Sequence, residues 1–248
     1  MTTYVKVHAV LFGRIAVPVL ALAFWAVTAT MAAGQIAPVW PSLTSLPAAF
    51  TDGGLDADLS STLRSVLTGF AIAAAIGVPL GVAIGRSPYF YRTVEPVLSG
   101  TAAVPRIVLL PVLLTLFGIT DQAKIGMAVL GAIVPITLTS MAGARTVGQP
   151  LIKLGRSLCM SRWTLLRKVI LPSALAPIMS GLRIGFSLAL LTVILSEFFA
   201  ASSGVGLRIQ QAYTVQQLPL MYGLVVVVVS FGLIANVGLW MVERRVSR

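Results

Sequence analysis

The chain has 248 residues, of which 57% are hydrophobic and 10% are charged, and its mean hydropathy is +0.96. A globular domain of this length cannot bury so much apolar surface in its core, so the composition excludes a soluble globular domain. A net charge of +11 would suggest a nucleic-acid partner in a soluble protein. Here we expect no nucleic-acid partner, and the distribution of the basic residues along the chain instead indicates which loops face the cytoplasm. The single cysteine, Cys159, excludes an internal disulfide and a cysteine-based metal cluster.

Long continuous apolar runs predict an all-α, polytopic membrane protein with about six transmembrane helices, not a β-barrel. Residues 1–33 form a cytoplasmic tail and the first span. That span, at 15–33, ends in small residues like a signal peptide, but its length favours retention. Residues 34–57, rich in proline and glycine, form an extracytoplasmic connector. Residues 58–248 form a five-helix core with spans at 59–84, 97–117, 125–143, 172–200 and 218–241, and with a short surface or re-entrant helix within 201–217.

The basic residues are distributed unequally between the two sides of the predicted membrane. Of the 18 Lys and Arg residues, two lie within spans, at 106 and 183, and three lie on the side away from the termini, at 64, 124 and 208. The remaining 13 share the side of the termini: Lys6, Arg14, Arg86, Arg92, Arg145, Lys153, Arg156, Arg162, Arg167, Lys168, Arg244, Arg245 and Arg248. Because short cytoplasmic loops carry the excess of Lys and Arg, both termini are predicted to be cytoplasmic.

Small residues recur every four positions in the second span, at Gly69, Ala73, Gly77, Gly81 and Gly85. Such a stripe lets a neighbouring backbone approach closely. Two interpretations are open: packing within one bundle, or an interface that moves or joins two copies.

Two kinds of catalytic site are missing from the sequence. None of the four lysines follows a glycine, so there is no phosphate-binding P-loop. His8 is the only histidine, which excludes a histidine-based metal site or triad. We therefore expect no enzymatic activity, no metal and no cofactor on this chain.

A polar, basic stretch of about 24 residues, 148–171, interrupts the apolar chain. Leu154 and Leu158 are four residues apart, as are Leu165 and Val169, so each half is predicted to form a short amphipathic helix. Trp163 lies among arginines, which is typical of a protein interface. The same composition would also suit a loop that lies on anionic lipid headgroups.

The segment "GRSLCMSRWTLLRKVILPSALAPIMSGLRIG" (155–185) resembles the cytoplasmic coupling loop, or EAA loop, of permease subunits in binding-protein-dependent (type I) ABC importers. The matching residues are Ser161, Trp163, Leu171, Pro172, Pro177, Gly181, Leu182 and Arg183. The triplet 156–158 and "SEFFAASSGVG" (196–206) resemble the sulfonate, taurine and nitrate permeases in particular. The resemblance extends over about 58–245.

The resemblance has two departures. Lys153, Leu154 and Gly155 stand where the family has Glu-Ala-Ala, and Cys159 stands at the family's bend glycine. A side chain at that bend costs about 1 kcal/mol if the backbone needs a positive φ. Both departures bear on which ATPase the loop fits.

The resemblance implies a multi-pass permease subunit in a bacterial plasma membrane. Its partners would be a cytoplasmic ABC ATPase dimer, a second permease copy or homologue, an extracytoplasmic substrate-binding protein and the membrane lipid. ATP and Mg would bind to the ATPase. The residues expected to couple to that ATPase are Gly155, Arg156, Ser157, Leu158, Ser161, Arg162, Trp163, Arg167 and Pro172.

Two ionisable residues within spans are candidates for the translocation path of a small nutrient. Arg106 would attract an anion if it faced the bundle interior, or it faces water at a broken helix; Glu197 would line the path, or it supports packing near the membrane surface. Rival interpretations of the whole chain are a self-sufficient secondary transporter or channel, and a non-transporting membrane anchor.

Overall fold

The computed structural model describes residues 20, 23–31, 36–51, 54–147, 153–155 and 157–246, and within these ranges the regular structure is entirely helical. Residues 20 and 23–31 are helical, and the rest of the predicted first span lies outside the described residues. Two short helices follow, α1 (Val39–Thr44) and α2 (Leu46–Thr51).

The long helices come next. Helix α3 is Leu55–Gly85, α4 is Pro88–Ala102, a 3-10 turn is Arg106–Leu109, α5 is Leu110–Phe117 and α6 is Asp121–Arg145. After the basic loop come α7 (Arg162–Leu165), a π turn (Leu166–Ile170), α8 (Leu171–Phe199), α9 (Val205–Thr214) and α10 (Leu218–Val246).

Four helices in the described residues are long and apolar enough to cross a membrane: Leu55–Gly85, Asp121–Arg145, Trp163–Phe199 and Leu218–Arg245. The segments Pro88–Ala102 and Arg106–Phe117 form a fifth span if they are counted together, although they meet at an angle of 89°. The polytopic all-α prediction is therefore confirmed, and all five core spans correspond to observed helices.

Two predicted spans differ from the structure by more than a few residues at their ends, and proline accounts for both. The third span is not a single helix from 97 to 117, because Pro105 disfavours helical backbone at the residue before it and α4 ends at Ala102. The fifth span does not begin at Pro172. Its helix runs on from Trp163, and the π turn before Pro172 adjusts the hydrogen-bond ladder that the proline ring would otherwise disrupt.

The glycine stripe of α3 packs against α6 within the same bundle. A Cβ on Gly69 would lie 2.7 Å from the carbonyl oxygen of Ile125, and one on Gly81 would lie 2.5 Å from that of Thr137. The contacts advance in the same direction along both helices, so α3 and α6 run parallel. Packing within one bundle is the interpretation that these contacts support.

Helix α8 runs antiparallel to α6 and α10. Gly131 of α6 faces Leu188, whereas Gly143 faces Ala174, twelve residues further along α6. Small residues fill the shared core of α3, α6 and α8 around Ala73, Ala128, Ala132, Ala189 and Val193.

Asn236 of α10 donates to Ser187 at 3.3 Å, and Arg183 lies 3.6 Å from Glu243 nearer the end of α10. One end of this bundle therefore holds the ends of α3, α6 and α10 and the start of α8.

The described chain divides into two compact units. The second consists of residues 57–207 and 228–248 and contains the bundle above. The first consists of residues up to Asp56 together with Arg208–Val227. In it Trp25 Nε1 donates to the Ala37 carbonyl at 3.0 Å and stacks on Tyr222, with ring centres 5.8 Å apart.

Candidate functional site

The basic loop turns at Ser161, whose hydroxyl caps α7. Its Oγ accepts the Thr164 backbone N–H at 3.1 Å and lies 2.8 Å from the Thr164 hydroxyl. This is the side-chain cap that a helix beginning at Arg162 needs. The cap fixes the position of the next residue, Trp163, at the start of the long helix that continues into α8.

Trp163 projects from this turn with 68% of its surface exposed, and Leu154 and Leu158 are also exposed. Below them Leu165 is buried with Val147 and Ile170. Large apolar side chains on a polar loop, supported by a small core, form a surface suited to another protein.

The other predicted coupling residues have mixed environments. Gly155 is buried against Leu165, where a Cβ would collide with the leucine side chain. Ser157 donates to the Lys153 carbonyl at 3.0 Å. Arg167 and Pro172 are exposed. Arg156 and the side chain of Arg162 lie outside the described part of the chain.

Cys159 adopts a φ of +52° at the bend of the loop. This is the left-handed region, which glycine enters without a steric penalty and other residues do not. The conformation gives a physical reason for a glycine at this point. A cysteine here instead of glycine strains the backbone.

Arg106 lies at the break between α4 and the 3-10 turn and is half-buried. Its Nη1 donates to the carbonyls of Ala102 at 2.7 Å and Val104 at 3.2 Å, so one side of the guanidinium caps the end of α4. The break, which was one of the two environments expected for Arg106, is therefore present.

Arg106 also lines a cavity of about 230 Å³. The opposite wall comes from α6 and α8, and the wall residues include Gly131, Leu188, Leu191, Thr192 and Leu195. The wall is largely apolar, and the Thr192 hydroxyl is already bonded to the Met127 carbonyl at 3.0 Å. A guanidinium is thus the only charged group among the residues that line this cavity.

Glu197 lies at the end of the bundle away from the basic loop, is fully buried and is not among the residues that line the cavity. Both of its carboxylate oxygens accept from the Thr62 hydroxyl at 2.9 Å, and Oε2 also accepts the Gly206 N–H at 3.1 Å. Lys124 Nζ lies 3.6 Å from Oε1. The carboxylate therefore joins α3, α6 and α8 to the start of α9.

Lys124 completes this group, which we term the polar clasp: Asp58, Ser61, Thr62, Asp121, Lys124, Glu197, Ser203, Gly204, Val205 and Gly206. Only 3% of the Lys124 side chain is exposed, and its buried ammonium group is paired: Nζ lies 2.7 Å from Asp121 Oδ1 and 2.7 Å from Ser61 Oγ.

The clasp also binds three successive backbone N–H groups at the start of α9. Asp58 accepts from Gly204 at 2.8 Å, Thr62 from Val205 at 3.0 Å and Glu197 from Gly206. These are donors that a helix start leaves unpaired. Sequence reasoning singled out Glu197 but not Lys124 or Thr62. The one available signal was a lysine in the short turn "GITDQAK" (118–124).

Comparison with known proteins decides the family. Residues 77–248, more than half of the chain, match the family described as binding-protein-dependent transport system inner membrane component. The chain belongs to this family. It is thus a multi-pass transport-system membrane component, as its helices and loop motif predicted.

Among curated relatives, the chain is 31% identical over 165 residues to the taurine transport system permease protein TauC of Escherichia coli K12. It is 33% identical over 141 residues to the putative aliphatic sulfonates transport permease protein SsuC of the same organism. The matches cover 66% and 57% of this chain but only 60% and 54% of those relatives.

Solved structures confirm the fold. Two inward-facing structures of the MetNI methionine ABC transporter superpose with TM-scores of 0.67 and 0.68, at 20% and 23% identity. Each match covers 78% of this chain and 96% of the transporter chain. The helical fold of this chain is therefore shared with these transporter chains.

Proposed function

We propose that this chain is the membrane-spanning permease subunit of an ABC importer and that the basic loop docks on a cytoplasmic ATPase. The observation that carries the proposal is Trp163. It is exposed on a serine-capped turn, at the end of the bundle where α3, α6 and α10 end and where Arg86, Arg145 and Arg244 lie. Membership of the family and the permease relatives support it.

The loop is joined to the rest of the bundle by one long helix. The helix from Trp163 to Phe199 has 37 residues, about 55 Å at 1.5 Å per residue. A displacement of Trp163 by a moving ATPase would therefore be transmitted to the polar clasp, where this helix ends. ATP can shift the transporter between two states only if the loop makes different contacts in each of them.

The partners follow from this role: an ATPase dimer that holds ATP and Mg, a second permease copy or homologue, and an extracytoplasmic binding protein. Catalysis would then reside on the ATPase and not on this chain. The excess of basic residues on one side supports a bacterial inner-membrane orientation with both termini in the cytoplasm. The named substrates of the relatives, taurine and aliphatic sulfonates, support a small organic anion as cargo.

The test is a pull-down of the tagged chain from native membranes in mild detergent. We expect a P-loop ATPase to accompany the wild type and to be lost from the Trp163→Ala, Arg162→Glu double variant. Trp40→Ala is the matched control, because it removes a tryptophan that is 74% exposed in α1, outside the loop. If no ATPase accompanies the folded wild type, the proposal fails and a secondary transporter becomes the better hypothesis.

A further inference from the structure

A second basic and aromatic surface lies outside the coupling loop, where α3 ends and α4 begins. Arg86, Tyr89, Phe90 and Arg92 follow the last residue of α3, Gly85, within seven positions, and all four are exposed. The two rings are 73% and 56% exposed and pack edge to face, with their centres 5.6 Å apart. No acidic residue occurs between 86 and 92.

Arg145, the last residue of α6, adds a third positive charge. Its Cζ lies 4.0 Å from the centre of the Tyr91 ring, so the guanidinium stacks on the first turn of α4. Because α3 and α6 run parallel, their ends lie at the same end of the bundle. A stacked guanidinium keeps the N–H groups of its edge directed away from the ring, and Arg145 is exposed.

We propose that Arg86, Tyr89, Phe90, Arg92 and Arg145, together termed the headgroup patch, bind the phosphate of anionic phospholipids at the surface of the membrane. Arginine pairs well with phosphate oxygens, and each basic residue near an anionic leaflet contributes about 1 kcal/mol. Aromatic side chains prefer the same depth, with the ring towards the hydrocarbon and polar groups towards water.

A lipid fits this patch better than a soluble protein does. Helix α4 begins at Pro88, only three residues after α3 ends, so the chain makes no excursion into the cytoplasm like that of the basic loop. The same pairing recurs at the end of another span, where Arg244 lies 4.0 Å above the Trp240 ring in α10. Arginines stacked on aromatics at the ends of two spans define a membrane boundary.

The test is a titration of the purified full chain with phosphatidylglycerol and, separately, with phosphatidylcholine, with bound lipids counted by native mass spectrometry. We expect tighter binding of phosphatidylglycerol. Arg86→Gln and Arg92→Gln should each weaken it about fivefold, and the triple variant with Arg145→Gln should weaken it roughly a hundredfold. Tyr89→Ala with Phe90→Ala should weaken the binding of both lipids.

Arg64→Gln is the charge-matched control, because Arg64 is exposed in the first half of α3, towards the other end of the bundle. It should leave the preference for phosphatidylglycerol unchanged. The proposal is overturned if the single arginine variants keep the wild-type affinity for phosphatidylglycerol, or if they lose a co-purifying protein instead of lipid. An equal effect of Arg64→Gln would also overturn it, because only the overall charge would then matter.

Discussion

The backbone conformation of Cys159 shows what it costs to have a cysteine where a glycine is expected. A φ of +52° places a side chain in a region where its Cβ is crowded, and this bend joins the two halves of the coupling loop. The cysteine is therefore tolerated at a cost that falls on the loop and not on the membrane core.

Cys159→Gly should relieve this strain and stabilise the loop by about 1 kcal/mol, which corresponds to a roughly fivefold smaller equilibrium constant for opening and therefore to about fivefold slower hydrogen exchange. Hydrogen exchange of the amides in 157–165 measures the change. Cys159→Ala serves as the control, since it removes the thiol but keeps the Cβ. Equal protection in the two variants would show that the bend is not strained.

Glu197 lies in the polar clasp, and its contacts describe a structural carboxylate that is completely satisfied. Its oxygens accept from Thr62 and Gly206 and lie beside Lys124. In Glu197→Gln the amide group cannot accept the Gly206 N–H on its nitrogen side, and the charge opposite Lys124 is lost. We expect a loss of about 2–3 kcal/mol of stability, measured by chemical unfolding in mixed micelles.

Glu95→Gln is the control for that variant. Within the described residues Glu95 accepts a surface bond from Ser99 at 2.9 Å, so this substitution should change stability by less than about 0.5 kcal/mol. A double-mutant cycle with Lys124→Met isolates the pair. If Glu197→Gln is as stable as the wild type but transports less, Glu197 acts in the translocation path and not in the clasp.

Arg106 combines two roles that one substitution can separate. Its Nη1 caps α4, while the residue also lines the 230 Å³ cavity. We predict that Arg106→Gln lowers anion uptake and leaves complex assembly intact, whereas Arg106→Lys retains part of the uptake because the charge remains. Uptake kinetics and the pull-down measure the two properties. Unchanged kinetics in Arg106→Gln would exclude the path role.

At the scale of elements, the glycine stripe sets the distance between α3 and α6. The atoms that a Cβ on Gly81 would meet include the Thr137 carbonyl oxygen, which belongs to a helix backbone and cannot rotate away. Close approach of backbones is the main means by which helices associate where the surrounding lipid is as apolar as the side chains.

Gly81→Ala should therefore separate the helices and destabilise the bundle by about 1–3 kcal/mol, as overpacking does in other cores. Gly238→Ala in α10 is the matched control. A Cβ there meets nothing within 4 Å, so alanine should be neutral or stabilising by up to about 1 kcal/mol. Thermal denaturation in detergent compares the two variants. Similar melting temperatures would show that the α3–α6 interface adapts freely.

Sequence patterns predicted the elements better than the contacts between them. Hydropathy located the five core spans because a bilayer imposes length and composition locally. The 89° bend after Ala102 and the continuous helix through Pro172 were not predicted, since each depends on how neighbouring backbone groups are satisfied. The loop motif around Trp163 is local and was found, whereas Lys124 and Glu197 meet across 73 positions and were not paired.

At the scale of the whole molecule, the orientation rests on charge alone, and the chain offers its own probe of it. Cys159 is the single cysteine and is exposed in the basic loop. If that loop is cytoplasmic, a membrane-impermeant maleimide should label the wild type in inside-out vesicles but not in right-side-out vesicles. The measurement needs no engineered label and leaves the sequence unchanged.

A complementary experiment tests on which side of the membrane the polar clasp lies. Ser202 is exposed in the segment that joins α8 to α9. In a Cys159→Ser, Ser202→Cys variant the thiol should react in right-side-out vesicles only, because α8 crosses the membrane between the two positions. Labelling of both proteins from the same side would contradict a spanning α8. Labelling of each from the side opposite to that expected would invert the topology and place the loop out of reach of a cytoplasmic ATPase.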